Sequence, residues 1–216
     1  MKNNATELVF IIDKSGSMSG LENDTIGGFN SMLNKQKLNK DKCYVTTVLF
    51  DSQLKTIHDR LDISEVGNLT QDDYQPFGST ALIDAIGETV KHISNIHKYS
   101  RKEDVPENTL FMITTDGMEN SSVIHSSDEV KKMIEKAKNE KGWEFIFIGA
   151  NIDSVETAKH FGIKEDKAVN YVHDAKGTGI MYNTLCDEVS NVRKKGKISA
   201  DWSRQLKKDT EERGNL

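Results

Sequence analysis

The stretch "FIIDKSGSMSG", residues 10–20, decides how the rest of the chain is read. Apolar residues from Val9 to Ile12 run into Asp13, and hydroxyls follow at Ser15 and Ser17. A buried strand that ends in a carboxylate and two alternate serines is either a polar turn or the first part of a cation site. The alternate spacing lets one turn offer successive oxygens to a single point. Turns rich in Asp, Ser and Gly are common, so the stretch alone does not choose between the two.

Its apolar half has counterparts along the chain. "LVFII" (8–12), "YVTTVLF" (44–50), "LFMITT" (110–115) and "FIFIG" (145–149) are short, rich in β-branched and aromatic residues, and mostly without alternation. Strands of a parallel sheet covered on both faces read this way. "AVNYV" (168–172) reads as a further strand. Helical spacing fills the intervals: Ile26, Phe29, Met32 and Leu33 in 21–38; Leu82, Ile83, Ile86, Val90 and Ile93 in 79–98; Val130, Met133, Ile134 and Ala137 in 127–141. Ser126 or Ser127 is the expected N-cap of the third helix, and Asp153 or Ser154 opens a short one over 153–161. Met181, Leu185, Val189 and Val192 mark one face of 178–195. "QLKTIHD" (53–59) follows its neighbour too closely for a crossover helix, which predicts an antiparallel hairpin partner. The alternation predicts an α/β fold: a Rossmann-like doubly wound sheet, mostly parallel with one antiparallel edge strand, and helices on both faces. One domain is expected over 1–195, followed by a charged extension over 196–216. Its end, "SRQLKKDTEERGNL" (203–216), has little to bury and reads as frayed.

Composition narrows the function. With 36% apolar and 29% charged residues the chain is an ordinary globular sequence. No apolar run approaches the ~20 residues of a membrane span, and "MKNNATE" lacks the apolar core of a secretory signal. Cys43 and Cys186 form neither a metal spacing nor a disulfide framework, which predicts a reducing, cytoplasmic setting. A net charge of −5 argues against general nucleic-acid binding, and the basic run "RKKGK" (193–197) reads as a helix end.

In doubly wound sheets, ligands bind beyond the carboxyl ends of the strands, where strand order reverses. Asp13 follows the first strand, and Asp116, in "MITTDGMENS", follows the 110–115 strand. "PFGSTALIDAIG" brings Ser79 and Thr80 to a loop near the same edge, with Ser79 read as a helix cap. An all-oxygen set of this kind suits Mg²⁺, with Mn²⁺ or Ca²⁺ as alternatives. Few carboxylates relative to hydroxyls leave the metal positively polarised and incompletely satisfied, so it favours an outside anionic oxygen. An EF-hand over 13–24 fails, because Met18 and Asp24 stand where glycine and glutamate are needed and a strand precedes the loop. Asp51 reads as a turn residue, Lys14 and Met18 as shapers of the loop or its rim, and the six histidines as surface or packing residues.

"DKSGSM", the threonine of "GSTAL" and "TTDG" together resemble the metal-ion-dependent adhesion site of the von Willebrand factor type A family. By that resemblance Asp13, Ser15 and Ser17 match the Asp-x-Ser-x-Ser element, Thr80 the isolated threonine and Asp116 the last aspartate. "FIGANIDSVETAKHFGI" is similar to stand-alone bacterial and phage members. The resemblance implies a protein-binding module, not an enzyme, that captures a partner's Asp or Glu through the metal. The alternative is a metal-dependent phosphohydrolase or phosphotransferase on a similar sheet. Such an enzyme would want a second acid where Ser15 stands. The G-x-x-x-x-G-K-[ST] loop is absent, and a Gly-x-Ser-x-Gly elbow from Gly16 fails at Met18. No catalytic residue is assigned.

Overall fold

A computed structural model describes residues 4–213. Its strands are β1 (Thr6–Asp13), β2 (Cys43–Phe50), β3 (Leu54–Asp62), β4 (Asn108–Thr115), β5 (Glu144–Gly149) and β6 (Ala168–Asn170). They form one sheet in the order β3-β2-β1-β4-β5-β6, antiparallel at β2–β3 and parallel at every other pairing. The helices are α1 (Glu22–Lys37), α2 (Leu82–Tyr99), α3 (Ser127–Lys141), α4 (Ser154–His160), α5 (Ala175–Lys195) and α6 (Arg204–Arg213).

Every residue of β1 is buried. Leu8, Phe10 and Ile12 enter a core built with α1, α5 and α6, while Val9 and Ile11 enter a second core with α2, α3 and α4. Two covered faces explain why the strand shows no polar alternation. On the first face Phe10 meets Phe29 edge-to-face, with ring centroids 5.2 Å apart. A Cβ on Gly28 would stand 2.4 Å from the Tyr182 ring, so α1 and α5 pack closely where a side chain is missing.

The helix ends follow local chemistry where the signal is local. Ser126 and Glu129 form a capping box at α3, which stops at Gly142 with φ 67°. Asp153 caps α4. The "RKKGK" run is the end of α5, closed by Gly196 in the left-handed region, and its Arg193 is buried. Arg193 donates to the carbonyls of Gln36, Asn39 and Asp41, tying the end of α1 and the turn after it to α5.

Two expectations are corrected. Ser79 does not cap α2, which begins at Leu82 after Ala81 with no side-chain cap. Its first amides are instead met from a distant loop: Ile83 N donates to Glu119 (2.8 Å) and Asp84 N to Ser122 Oγ (3.0 Å). Nor is the end of the chain frayed as far as residue 213. Leu206 is fully buried, the Trp202 indole donates to the Asp166 carbonyl (2.8 Å), and Arg213 pairs with Asp209 and Asp174. Leu206, Thr210 Oγ1 on the Asn170 carbonyl and Arg213 on its two carboxylates seat α6, with Trp202 packed just before it. The frayed reading of 214–216, and the first three residues of "MKNNATE", lie outside the described residues. Among the described residues no helix is long and apolar enough to cross a membrane.

Candidate metal centre

Strand order reverses between β1 and β4: from β1 the chain goes on to β2, and from β4 to β5, on opposite sides. Parallel pairing sets Ile12 beside Thr114, which brings Asp13 and Asp116 to the same sheet edge at that reversal. The segment from Ser15 to Met18 forms a tight helical turn, and its Gly16 N donates to the Gly78 carbonyl (3.1 Å). Gly78 has φ +73°, a conformation that glycine adopts without strain. Phe77 N donates to the Lys14 carbonyl (3.0 Å), so the loop carrying Thr80 is tied to the first loop by backbone.

Four of the five sequence-predicted residues, Asp13, Ser15, Ser17 and Asp116, form a chain of contacts. Asp13 Oδ1 accepts from Ser15 N at 2.7 Å, and the hydroxyls of Ser15 and Ser17 lie 3.1 Å apart. Ser17 donates to Asp116 Oδ1 at 2.6 Å. Thr80 faces the same space: a Cβ on Gly117 would stand 3.3 Å from Thr80 Oγ1 and 3.6 Å from Ser17 Oγ. Asp13, Ser15, Thr80 and Asp116 are buried, and Ser17 is exposed at the mouth. Burial raises the Asp13 carboxyl above its ordinary value; hydrogen bonds from Thr115 and Ser15 oppose that, and the negative charge of Asp116 adds to it.

Several supports carry no sequence signal of their own. The Tyr74 hydroxyl donates to the Asp13 carbonyl (2.6 Å), and Thr115 Oγ1 donates to Asp13 Oδ2 (2.6 Å). Thr80 and Asn120 exchange two hydrogen bonds, Thr80 N to Asn120 Oδ1 and Asn120 N to the Thr80 carbonyl. Asp84, buried at the start of α2, accepts from the backbone amides of Val123, Ile124 and His125, fixing the segment beyond Asp116. Asp51 is a turn residue as read, accepting from Gln53 N, and it also holds Lys14 in an ion pair. Met18 packs into the core.

One histidine departs from the surface-or-packing reading. His173, three residues beyond β6, sets Nε2 3.0 Å from Asp116 Oδ2. It reaches the edge by the same rule as Asp13 and Asp116, following a strand's carboxyl end, and that signal was present in "AVNYVH". Asp116 Oδ2 is buried and has no hydrogen-bond partner. A buried carboxylate oxygen without a hydrogen bond, beside one imidazole and among hydroxyls, fits a cation. Among the described residues no group of three or more His, Cys, Asp or Glu side chains could hold a metal ion, so any cation here leans on serine and threonine oxygens.

The fold recurs in solved structures of low identity. A mutant of the PilB minor pilin from Streptococcus sanguinis matches with a TM-score of 0.61 at 10% identity, over 88% of this chain and 62% of the pilin. The vWF domain of the type V pili tip protein Mfa5 from Porphyromonas gingivalis matches at 0.59 and 10% identity, over 90% of this chain and 98% of that one. Manganese-loaded TRAP protein from Plasmodium vivax matches at 0.55 and 19% identity, over 83% of this chain and 72% of TRAP. The chain thus spans less than two thirds of the pilin's length. No curated protein matches it in sequence. Residues 7–181 match the von Willebrand factor type A domain, and the chain belongs to that family.

Proposed function

We propose that the chain is a divalent-cation-dependent protein-binding module whose cation is held by Asp13, Ser15, Ser17, Thr80 and Asp116. The observation that carries this reading is the buried Asp116 Oδ2, which has no hydrogen bond and only the His173 imidazole beside it where oxygens from three distant segments come together. Mg²⁺ is the expected ion, with Mn²⁺ or Ca²⁺ as alternatives. When bound, it supplies a positive pole with an incomplete shell, which attracts a carboxylate oxygen from an Asp or Glu of a protein partner. Asp13 and Asp116 provide the anionic ligands, while the three hydroxyls add oxygen without charge.

The rim supports a protein partner. Phe77, in the loop tied to Lys14, is 77% exposed, and Met118, two residues beyond Asp116, is 75% exposed. Large apolar side chains beside a polar centre suit the anchors of a protein interface. The test is capture of a partner with Mg²⁺ present, repeated with chelator and with Thr80→Ala. Binding should vanish in both, and also when one acidic residue of the partner becomes alanine. Phosphoester hydrolysis by pure protein, lost in Asp13→Ala, would overturn the reading in favour of the phosphohydrolase.

A further inference from the structure

A cleft of about 660 Å³ opens between α2 and α3, at the opposite end of the sheet from the cation centre. Val105 and Pro106 line it just before β4, and Asp116 follows the far end of that strand. The eight residues of β4, roughly 26 Å of extended chain, separate the two places. A cleft of this size suits a small organic ligand. Val90, Met133, Ala137 and Trp143 give it apolar walls, while Lys91, Lys98, Lys136 and Lys141 stand around it against the single carboxylate of Glu140. In a chain of net charge −5 that is a local reversal of sign.

The floor is fixed from behind. Glu7, fully buried near the start of β1, holds His97 Nε2 on one oxygen and Arg60 Nε (3.0 Å) on the other. His97 meets the Trp143 ring edge-to-face with centroids 5.2 Å apart, and Trp143 stacks on Phe111 at the same spacing. Lys141 Nζ stands 4.7 Å from the centroid of the Trp143 ring. Partial desolvation lowers the Lys141 pKa and the charge of Lys136 lowers it further, with Glu140 opposing. Lys91 already pairs with Glu88 (3.0 Å). The dipoles at the ends of α2 and α3 account for Lys98 and Lys141, but not for Lys136, which precedes the last turn of α3. An anion beside Lys136 and Lys141 would relieve the repulsion between them.

We propose that this cleft binds a small amphipathic anion, an organic carboxylate or sulfonate with an apolar body. The body lies against Val90 and Trp143, and the charged end meets Lys136 and Lys141. The walled volume selects a small molecule, and the lysines select its charge. This site is separate from the cation centre and does not depend on it.

The probe is the fluorescent anion anilinonaphthalene sulfonate, with phenylnaphthylamine as its uncharged counterpart. The chain has two tryptophans, so the indole N–H region of a nitrogen–proton NMR spectrum reads location directly. The sulfonate should shift the Trp143 resonance and leave that of Trp202 in place. Octanoate should displace it, and octanol should not. Both Lys136 and Lys141 are exposed, so Lys136→Gln with Lys141→Gln leaves the fold intact. That pair should weaken sulfonate binding by about tenfold and leave the neutral counterpart unchanged. Ser94→Phe, which fills the cleft from its half-buried wall, should weaken both, and chelator should change none of these results. Absence of sulfonate binding, binding that leaves the Trp143 resonance unmoved or survives the two lysine changes, or displacement by octanol as effective as by octanoate would overturn the proposal. So would a Trp143 resonance that moves with protein concentration alone, which makes a second copy of the chain the occupant.

Discussion

Asp116 gives one oxygen to Ser17 and leaves the other, buried, without a protein hydrogen bond. A carboxylate in that condition gains from any cation that reaches it, and a cation bound only by the folded chain stabilises it by mass action. At a hundredfold excess over its dissociation constant the increment is about 2.7 kcal/mol. Asp116→Ala and Asp13→Ala should each retain the native circular dichroism spectrum while losing the rise in melting temperature that Mg²⁺ gives wild type. A histidine far from the site has the opposite relation to charge. His58 is buried with Nδ1 3.0 Å from Thr47 Oγ1, and burial lowers its pKa from the ordinary 6.5, with Asp73 opposing and Lys37 adding. A lowered folded pKa means that the unfolded chain takes up the proton first. The stability His58 contributes is therefore full above the ordinary histidine value and lost as pH falls through it towards the folded value. Urea midpoints at about pH 7.5 and about pH 5 should show that loss in wild type, and a smaller one in His58→Gln.

At the scale of the element, local and distant signals separate cleanly. The α3 N-terminus is local: Ser126 and Glu129 serve each other's amides, and Ser126→Ala should cost about 1 kcal/mol in chemical denaturation. Its position was readable because the cap and the apolar spacing lie within one short segment. The start of α2 was not, because Glu119 and Ser122 cap it from beyond Asp116, leaving Ser79 without that role. Nor was α6, whose single buried leucine gives no periodicity and whose partners Asn170 and Asp174 lie far back in the chain. Leu206→Ala should destabilise the protein by about 2–5 kcal/mol and strip hydrogen-exchange protection from 204–213. β1, β2, β4 and β5 were legible because two covered faces leave runs such as "LVFII" and "FIFIG" no polar positions, whereas β3, polar and only partly buried, was read from its closeness to β2. Asp13 and Asp116 could be placed at the sheet edge by their position after strands and Ser15 and Ser17 by their spacing, whereas Thr80 follows no strand and was picked out by the resemblance. His173 shared the place after a strand and lacked the spacing, so only the folded chain brings it to Asp116.

For the whole molecule, the pairing of β1 with β4 has a kinetic meaning. Thr6 lies beside Asn108 and Ile12 beside Thr114, so the two central strands meet only after a chain segment of some hundred residues has closed between them. Pairings of such high sequence separation form slowly, after their loop-closure entropy has been met. Asp13 and Asp116 become neighbours only at the end of that event, and a cation that needs both has nothing to grip in the unfolded ensemble. If the strand ends dock after the rate-limiting barrier, Mg²⁺ should leave the refolding rate unchanged and slow unfolding by the whole of its equilibrium effect. A chevron measured with and without Mg²⁺ would then move only in its unfolding arm, and a faster refolding arm would instead put the closure of β1 against β4 inside the folding nucleus.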